Sequence, residues 1–254
     1  MKKALVSPRA LGLTLLAFLF IALCIRASLW QFHRGVDRHA ANAIITENIK
    51  KDPLGLPETA QLLSQKRNLA LSQWRTITLR GTFDSRHEIL LRNRYVDGTY
   101  GFGVLTLFHL DPKFFPSASS IWIDRGWVRA GKDAATPPVT TPVPSTIVNI
   151  TGRLRTFDRA PQLRGSFFAL PGGSSTLGQS AQLQRWNSEQ AVETENYSLD
   201  LLSSSQATLT PRYPNELPEL TDGPHMAYAV QWLVFAFLVL LGRILIFRED
   251  LRLS

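Results

Sequence analysis

Two unbroken apolar runs bracket this chain, and between them apolar residues recur at every second position. The C-terminal run, Pro224 to Phe247, carries no charge between His225 and Arg243, and Gln231 is its one strongly polar residue. As a helix, His225 to Phe247 is about 34 Å long, enough to cross a hydrocarbon core of roughly 30 Å with some tilt. Lipid offers the backbone no hydrogen-bond partner, so a spanning segment must be helical. The N-terminal run, Ala10 to Ile25, is followed by Arg26 and Trp30, which suit an outer interface. It is longer than most signal-peptide cores, and Arg26-Ala27-Ser28 is a poor cleavage site, so it reads as an uncleaved anchor. Leu23 just before Cys24 is too large for lipoprotein processing.

The alternation between the runs predicts strands. In Arg75–Phe83, Ile77, Leu79, Gly81 and Phe83 share one face and Thr76, Thr78, Arg80 and Thr82 the other. Glu88–Arg94 reads as a second strand, Val96-Asp97-Gly98-Thr99 as a turn, and Tyr100–Leu110 as the strand pairing back. A further strand is predicted around Ile121–Val128. Pro137, Pro138, Pro142 and Pro144 then mark an extended linker. Ile147–Arg155 alternates Val148, Ile150, Gly152 and Leu154, and echoes the first strand down to its glycine, a residue that marks bulges and corners. Residues 161–185, rich in Gly, Ser and Gln, read as a long loop, Arg185–Tyr197 as a short helix, and Pro211–Pro224 as a proline-rich lead.

The predicted fold is therefore two transmembrane helices flanking a mainly antiparallel β domain, of α+β class. Its divisions are a cytoplasmic N-terminus (1–9), a first anchor (10–29) and a polar helical approach (30–73). A β-rich domain (74–160), a loop-rich remainder with the proline-rich lead (161–223), a second anchor (224–247) and a cytoplasmic C-terminus (248–254) follow. The approach either continues the anchor helix or breaks at Gly35.

Charge changes the picture little. Lys2, Lys3, Arg9, Arg243, Arg248 and Arg252, against Glu249 and Asp250, place half of the formal net charge of +8 at the two ends. By the positive-inside rule both termini are cytoplasmic and residues 27–223 lie outside. No basic block with interleaved aromatics suggests nucleic acid. A single cysteine, Cys24, excludes an internal disulfide, a Cys-X-X-Cys site and a thiol-based copper carrier. The first anchor begins by residue 10, which leaves no room for a mitochondrial transit peptide and favours a bacterial plasma membrane.

Local catalytic motifs are absent. Gly101-Phe-Gly103 is half of a dinucleotide fingerprint, and no Gly-X-Ser-X-Gly elbow, phosphate-binding loop or His-Glu-X-X-His occurs. Asp84 with Glu88, and Asp124 with Asp133, carry no sign of paired acid–base work, so a non-enzymatic role is expected. His33 and Asp37, four apart, read as a solvated pair. The distinctive face belongs to the second anchor: His225, Tyr228, Ala229, Trp232 and Ala236 share one side of the helix. Two readings remain open there, an aromatic interfacial belt with a headgroup-bonding histidine, or a ligand site. Gly12, Ala17 and Ala22 would let the first anchor approach closely.

Several residues, in order, resemble the surfeit locus protein one family. They are Trp30-Gln31 with Arg34, Gly81, Leu90–Arg94, Asp124-Arg125-Gly126-Trp127-Val128, Gly152-Arg153-Leu154, and His225 with Tyr228-Ala229 and Trp232. Proteins of that family assist assembly of haem-copper cytochrome c oxidase, and its bacterial members are associated with haem a before insertion into subunit I. The resemblance implies haem a as cofactor, held by His225 as axial iron ligand with Tyr228 and Trp232 as pocket walls. It also implies oxidase subunit I and other assembly factors as partners, alongside membrane lipid. A cofactor-free chaperone or accessory subunit is the alternative, and an outer-face enzyme with an unrecognised site the third. Arg125 and Trp127 are expected to hold the β domain together or dock it to a partner, and not to do chemistry. Ala27-Ser28 stands where the family usually has Leu-Gly, and Gly223 where it often has Asn.

Overall fold

The computed structural model describes residues 8–131, 137–156 and 179–252. Of the loop expected over 161–185, residues 161–178 lie outside the described residues, as do Asp133, Lys2 and Lys3, and residues 179–185 are helical. The chain forms two compact units, Met1–Ala43 with Glu219–Ser254, and Ile44–Pro218.

The second unit is a closed five-stranded barrel. Its strands are β1 (Thr76–Val96), β2 (Thr99–Leu110), β3 (Ser120–Arg129), β4 (Val148–Thr156) and β5 (Tyr197–Ser204), in the order β1-β2-β3-β5-β4. All pairings are antiparallel except β3 with β5. The two strands expected over 75–83 and 88–94 are one. A bulge between Asp84 and Glu88 absorbs the intervening residues without ending the ladder. β1 is thereby long enough to pair with β4 up to Gly81 and with β2 from Gly81 onward.

The expected alternation sets the barrel interior. Ile77, Leu79, Phe83, Ile150 and Leu154 point inward with Phe108, Ile121, Ile123, Leu199 and Leu201. Gly81 and Gly152 sit where strands pass closest: an added Cβ would lie 2.0 Å from the His109 carbonyl and 2.3 Å from that of Asp200. The hairpin turn is as expected, with Asp97 (φ 49°) and Gly98 (φ 72°) both left-handed, the requirement of a type I′ turn.

The stretch expected to be loop-rich departs most. The helix expected over Arg185–Tyr197 instead covers Gln179–Glu189, and β5, unforeseen, begins at Tyr197. That helix seats Leu183 and Trp186 on Ile89, Leu91, Leu105, Leu107 and Trp122, forming a second apolar cluster outside the barrel wall. β2 and β3 are therefore buried on both faces and lose the alternation of a half-exposed strand.

The helical elements are numbered in chain order: α1 (Pro8–Lys50), α2 (Leu56–Ser64), α3 (Gln179–Glu189) and α4 (His225–Arg252). α1 and α4 are both long and apolar enough to cross a membrane. α1 runs on to Lys50 without a break at Gly35. A row of buried or half-buried positions along it, Ala10, Thr14, Ala17, Ile21, Cys24, Ser28, Gln31 and Gly35, is spaced alternately four and three apart. On α4 the row His225, Ala229, Trp232, Ala236, Val239, Arg243 keeps the same rhythm, the seam of a coiled-coil-like pair. Ala17 lies on that seam as expected, whereas Gly12 and Ala22 face away. Ser28 Oγ donates to the Ala229 carbonyl (2.9 Å), and Arg243 donates to Thr14 Oγ1 and the Ala10 carbonyl at the other end, so the helices run antiparallel.

Candidate functional site

His225 is the first residue of α4 and opens its seam face. Its Nδ1 lies 2.9 Å from Gln31 Oε1 on α1. A Cβ on Gly35 would meet His225 Cβ at 3.3 Å, so the glycine lets the histidine backbone come close. The chain enters α4 through Gly223, whose φ of +68° suits glycine or asparagine. The Gly for Asn departure at this position thus preserves the backbone. A Cβ there would lie in ordinary contact with the imidazole, 3.6 Å from Nε2.

The segment before Gly223 is bound to α1. Arg38 Nε donates to the Thr221 carbonyl (2.7 Å), Asn42 Nδ2 to Asp222 Oδ1 (3.0 Å), and His39 Nδ1 pairs with Asp222 Oδ2 (2.8 Å). Asp222 is held below the ordinary carboxylate range, chiefly by its bond to His39 and then by Asn42.

Of the three expected site residues, His225 and Trp232 share the seam face, Trp232 half-buried with its ring edge-on to Phe235. Tyr228 is 46% exposed, at the edge of that face. His33 and Asp37 are both exposed, and among the described residues no hydrogen bond or ion pair joins them. Gln31 was not foreseen as a site residue. It stands 194 residues from His225, and no local pattern in the chain links them.

In the barrel, Arg125 is buried and donates to Glu88 Oε2 (2.9 Å), Thr106 Oγ1 (3.2 Å) and the Thr141 carbonyl, while Thr140 Oγ1 donates to Glu88 Oε1 (2.7 Å). One guanidinium thus joins β3, β1, β2 and the proline-rich connection, the structural part expected of it. Burial lowers the Arg125 pKa, against the pull of Glu88. Its neighbours grip the lead that precedes Pro218. Gly126 adopts φ +86°, Trp127 N donates to the Tyr213 carbonyl (3.0 Å), and the Trp127 and Tyr213 rings meet edge to face. Arg153 Nη1 donates to the Asn215 carbonyl (2.9 Å). Trp127 is only half-buried, so it packs as a clasp and not as a core residue.

Two buried carboxylate clusters lie on the strands' outward face, opposite the apolar interior. Asp124 lies opposite Asp200, whose Oδ2 accepts from Arg155 (2.8 Å). Burial, then the Asp200 charge, pushes the Asp124 carboxyl up to about 6. At the β1 bulge Asp84 accepts from Arg86 and lies near His87 Nδ1 (2.9 Å) and His109 Nε2 (3.4 Å). Arg86 foremost holds that carboxyl well below the usual range, although burial opposes it. Among the described residues no group of three or more His, Cys, Asp or Glu has metal-holding geometry.

Against this geometry, the profile of the SURF1 family matches residues 18–237, from the first apolar helix to the middle of the last. The chain belongs to the SURF1 family. It is also similar to SURF1-like proteins described as uncharacterized from Mycobacterium bovis and Mycobacterium tuberculosis, each 28% identical over 238 residues, which is 92% of this chain and 80% of theirs. The SURF1 family is linked to cytochrome oxidase assembly and is not a known enzyme family. Its second departure here, Ser28 for glycine, keeps a small side chain on the seam and adds a bond to Ala229.

Proposed function

We propose that this SURF1-family protein is a membrane-anchored assembly factor for haem-copper cytochrome c oxidase. It holds haem a for insertion into subunit I at the outer face of a bacterial plasma membrane. α1 and α4 cross the bilayer, both termini are cytoplasmic, and the barrel lies outside. Arg243, Arg248 and Arg252 support that orientation, because they gather at the far end of α4 from His225.

The observation that carries the reading is the His225 imidazole at the outer end of α4. One ring nitrogen is engaged by Gln31, and the other edge lies beside Gly223. A neutral imidazole of this kind suits an iron centre. When bound, the haem would supply an iron for which the His225 imidazole would be a nitrogen donor. Trp232 and the exposed Tyr228 ring offer the apolar, aromatic surface that a flat macrocycle needs.

The test is the absorption spectrum of full-length protein purified from cells that make haem a. His225→Ala and His225→Met abolish or strongly shift the haem bands while insertion and abundance stay normal. An unchanged spectrum at unchanged stoichiometry overturns the ligand assignment. A second reading, a cofactor-free chaperone or accessory subunit of the oxidase, draws on the barrel, where Arg125 and Trp127 sit in structural networks. Oxidase subunits that co-purify with a protein showing no haem bands favour it.

A further inference from the structure

We propose that Gln31 is a positioning residue that fixes His225 as its Nδ1-protonated tautomer and leaves Nε2 as a lone-pair donor. A carbonyl oxygen can only accept a hydrogen bond, so the 2.9 Å contact between Gln31 Oε1 and His225 Nδ1 requires the proton on Nδ1. A neutral imidazole has one ring proton, and Nε2 is then bare. Metal-bound histidines are built this way, with the other ring N–H donated to an acceptor that sets both tautomer and ring orientation.

The seam fixes that acceptor. Gln31 is half-buried between Ser28 and Gly35. Ser28 ties α1 to the Ala229 carbonyl one turn along from His225, and Gly35 leaves room beside it, since a Cβ there would stand 3.3 Å from His225 Cβ. With both sides of the contact set, the amide meets the ring on one edge. Gly223 borders the opposite edge without a side chain, a Cβ there lying in ordinary contact at 3.5 Å from Cδ2 and 3.6 Å from Nε2. The use of the bare nitrogen rests on the reading of His225 as an iron ligand, but the tautomer belongs to the haem-free chain.

The experiment uses full-length protein in detergent, without haem and labelled with 15N-histidine, at about pH 8.5, well above the ordinary imidazole range. Two-bond 15N–1H correlation spectra report which ring nitrogen carries the proton. The chain has five histidines, and the signals lost in His225→Met identify His225. The wild type and Gln31→Glu, which keeps an acceptor, show His225 protonated on Nδ1. Gln31→Leu moves the proton to Nε2 and weakens affinity for added haem by about 10- to 100-fold. A wild-type ring protonated on Nε2, or a tautomer unchanged in Gln31→Leu, overturns the proposal even if His225 proves to be the haem ligand. The expected tautomers, with haem binding that ignores His225, uphold the role of Gln31 and remove the haem reading instead.

Discussion

Asp124 and Asp200 face each other across the parallel β3–β5 pairing, and both are buried. Arg155 neutralises Asp200 at 2.8 Å, while Asp124 accepts from the Gly126 N–H and sits beside Arg94. Such a pair favours a proton on one member, and burial decides for Asp124.

The pH dependence follows from that shift. The ordinary Asp value is 3.8 and the folded value is about 6, so between them the folded barrel binds a proton that the unfolded chain does not. This group's contribution to stability is complete below about pH 4 and is lost as pH rises through about 6. Asp124→Asn removes the penalty and raises stability at pH 7 by on the order of 1–3 kcal/mol. Asp84, with its lowered pKa, has the opposite sign: its contribution is present above the ordinary carboxylate range and is lost as pH falls below it. Denaturant unfolding near pH 4.5 and pH 7.5 measures the first, and a series carried from pH 4.5 down through the ordinary carboxylate range measures the second. A larger gain for Asp124→Asn at the acid pH contradicts the assignment.

Gly126→Ala releases the lead into the last helix. A left-handed φ of +86° strains any L side chain, and the new Cβ would stand 2.4 Å from the Tyr213 carbonyl. Strain alone costs about 1–3 kcal/mol, and the clash breaks the Trp127–Tyr213 backbone bond. Trypsin cleavage after Arg212 then accelerates well before the barrel unfolds. Trp127→Ala acts in the same direction, at about 1–3 kcal/mol, because its half-buried ring loses less contact than a core tryptophan. Equal protease resistance in both variants and the wild type would sink the clasp.

Orientation is tested by fusions. An alkaline phosphatase domain inserted near residue 140 is active and one after Ser254 is inactive, because the phosphatase folds only outside. The charge pattern that motivates this has a structural counterpart: Arg243 turns onto Thr14 and the Ala10 carbonyl, which gathers the cationic end of α4 against the N-terminal end of α1. The reverse pattern of activity would invert the topology.

The two terminal apolar helices, the hairpin and the alternating strands were legible because each is written into a local pattern of apolar residues. The seam of α1 was not, for nothing local to Gln31, Ser28 and Thr14 names a partner until α4 supplies His225, Ala229 and Arg243 opposite them. β5 was hidden differently. Tyr197, Leu199 and Leu201 do alternate, but Ser198, Asp200 and the serines that follow dilute the signal, and the partner strands lie far away in sequence. Asp200 likewise becomes interesting only beside Asp124. His225 stood out on its helix face, yet its hydrogen-bond partner lies in the other terminal helix.

The two aromatic residues near His225 are predicted to differ. Trp232 is half-buried on the seam face, about two turns into α4, whereas Tyr228 is 46% exposed at its edge. If the macrocycle rests against the packed face, Trp232→Ala removes a wall and weakens haem binding, but leaves the imidazole–iron bond and hence the band positions nearly unchanged. Tyr228→Phe keeps the ring and loses only the hydroxyl, so its effect is smaller still. Cys24 lies on the α1 seam one turn inward of Ser28, and Cys24→Ser leaves the spectrum intact if nitrogen is the donor. Replacing His33, His39, His87 or His109 does the same, since His39 already pairs with Asp222, and His87 and His109 lie at Asp84 in the barrel. Haem titrations of the full-length variants, read by absorption, rank these effects. A spectrum lost with Cys24 or with any histidine other than His225 would move the ligand there.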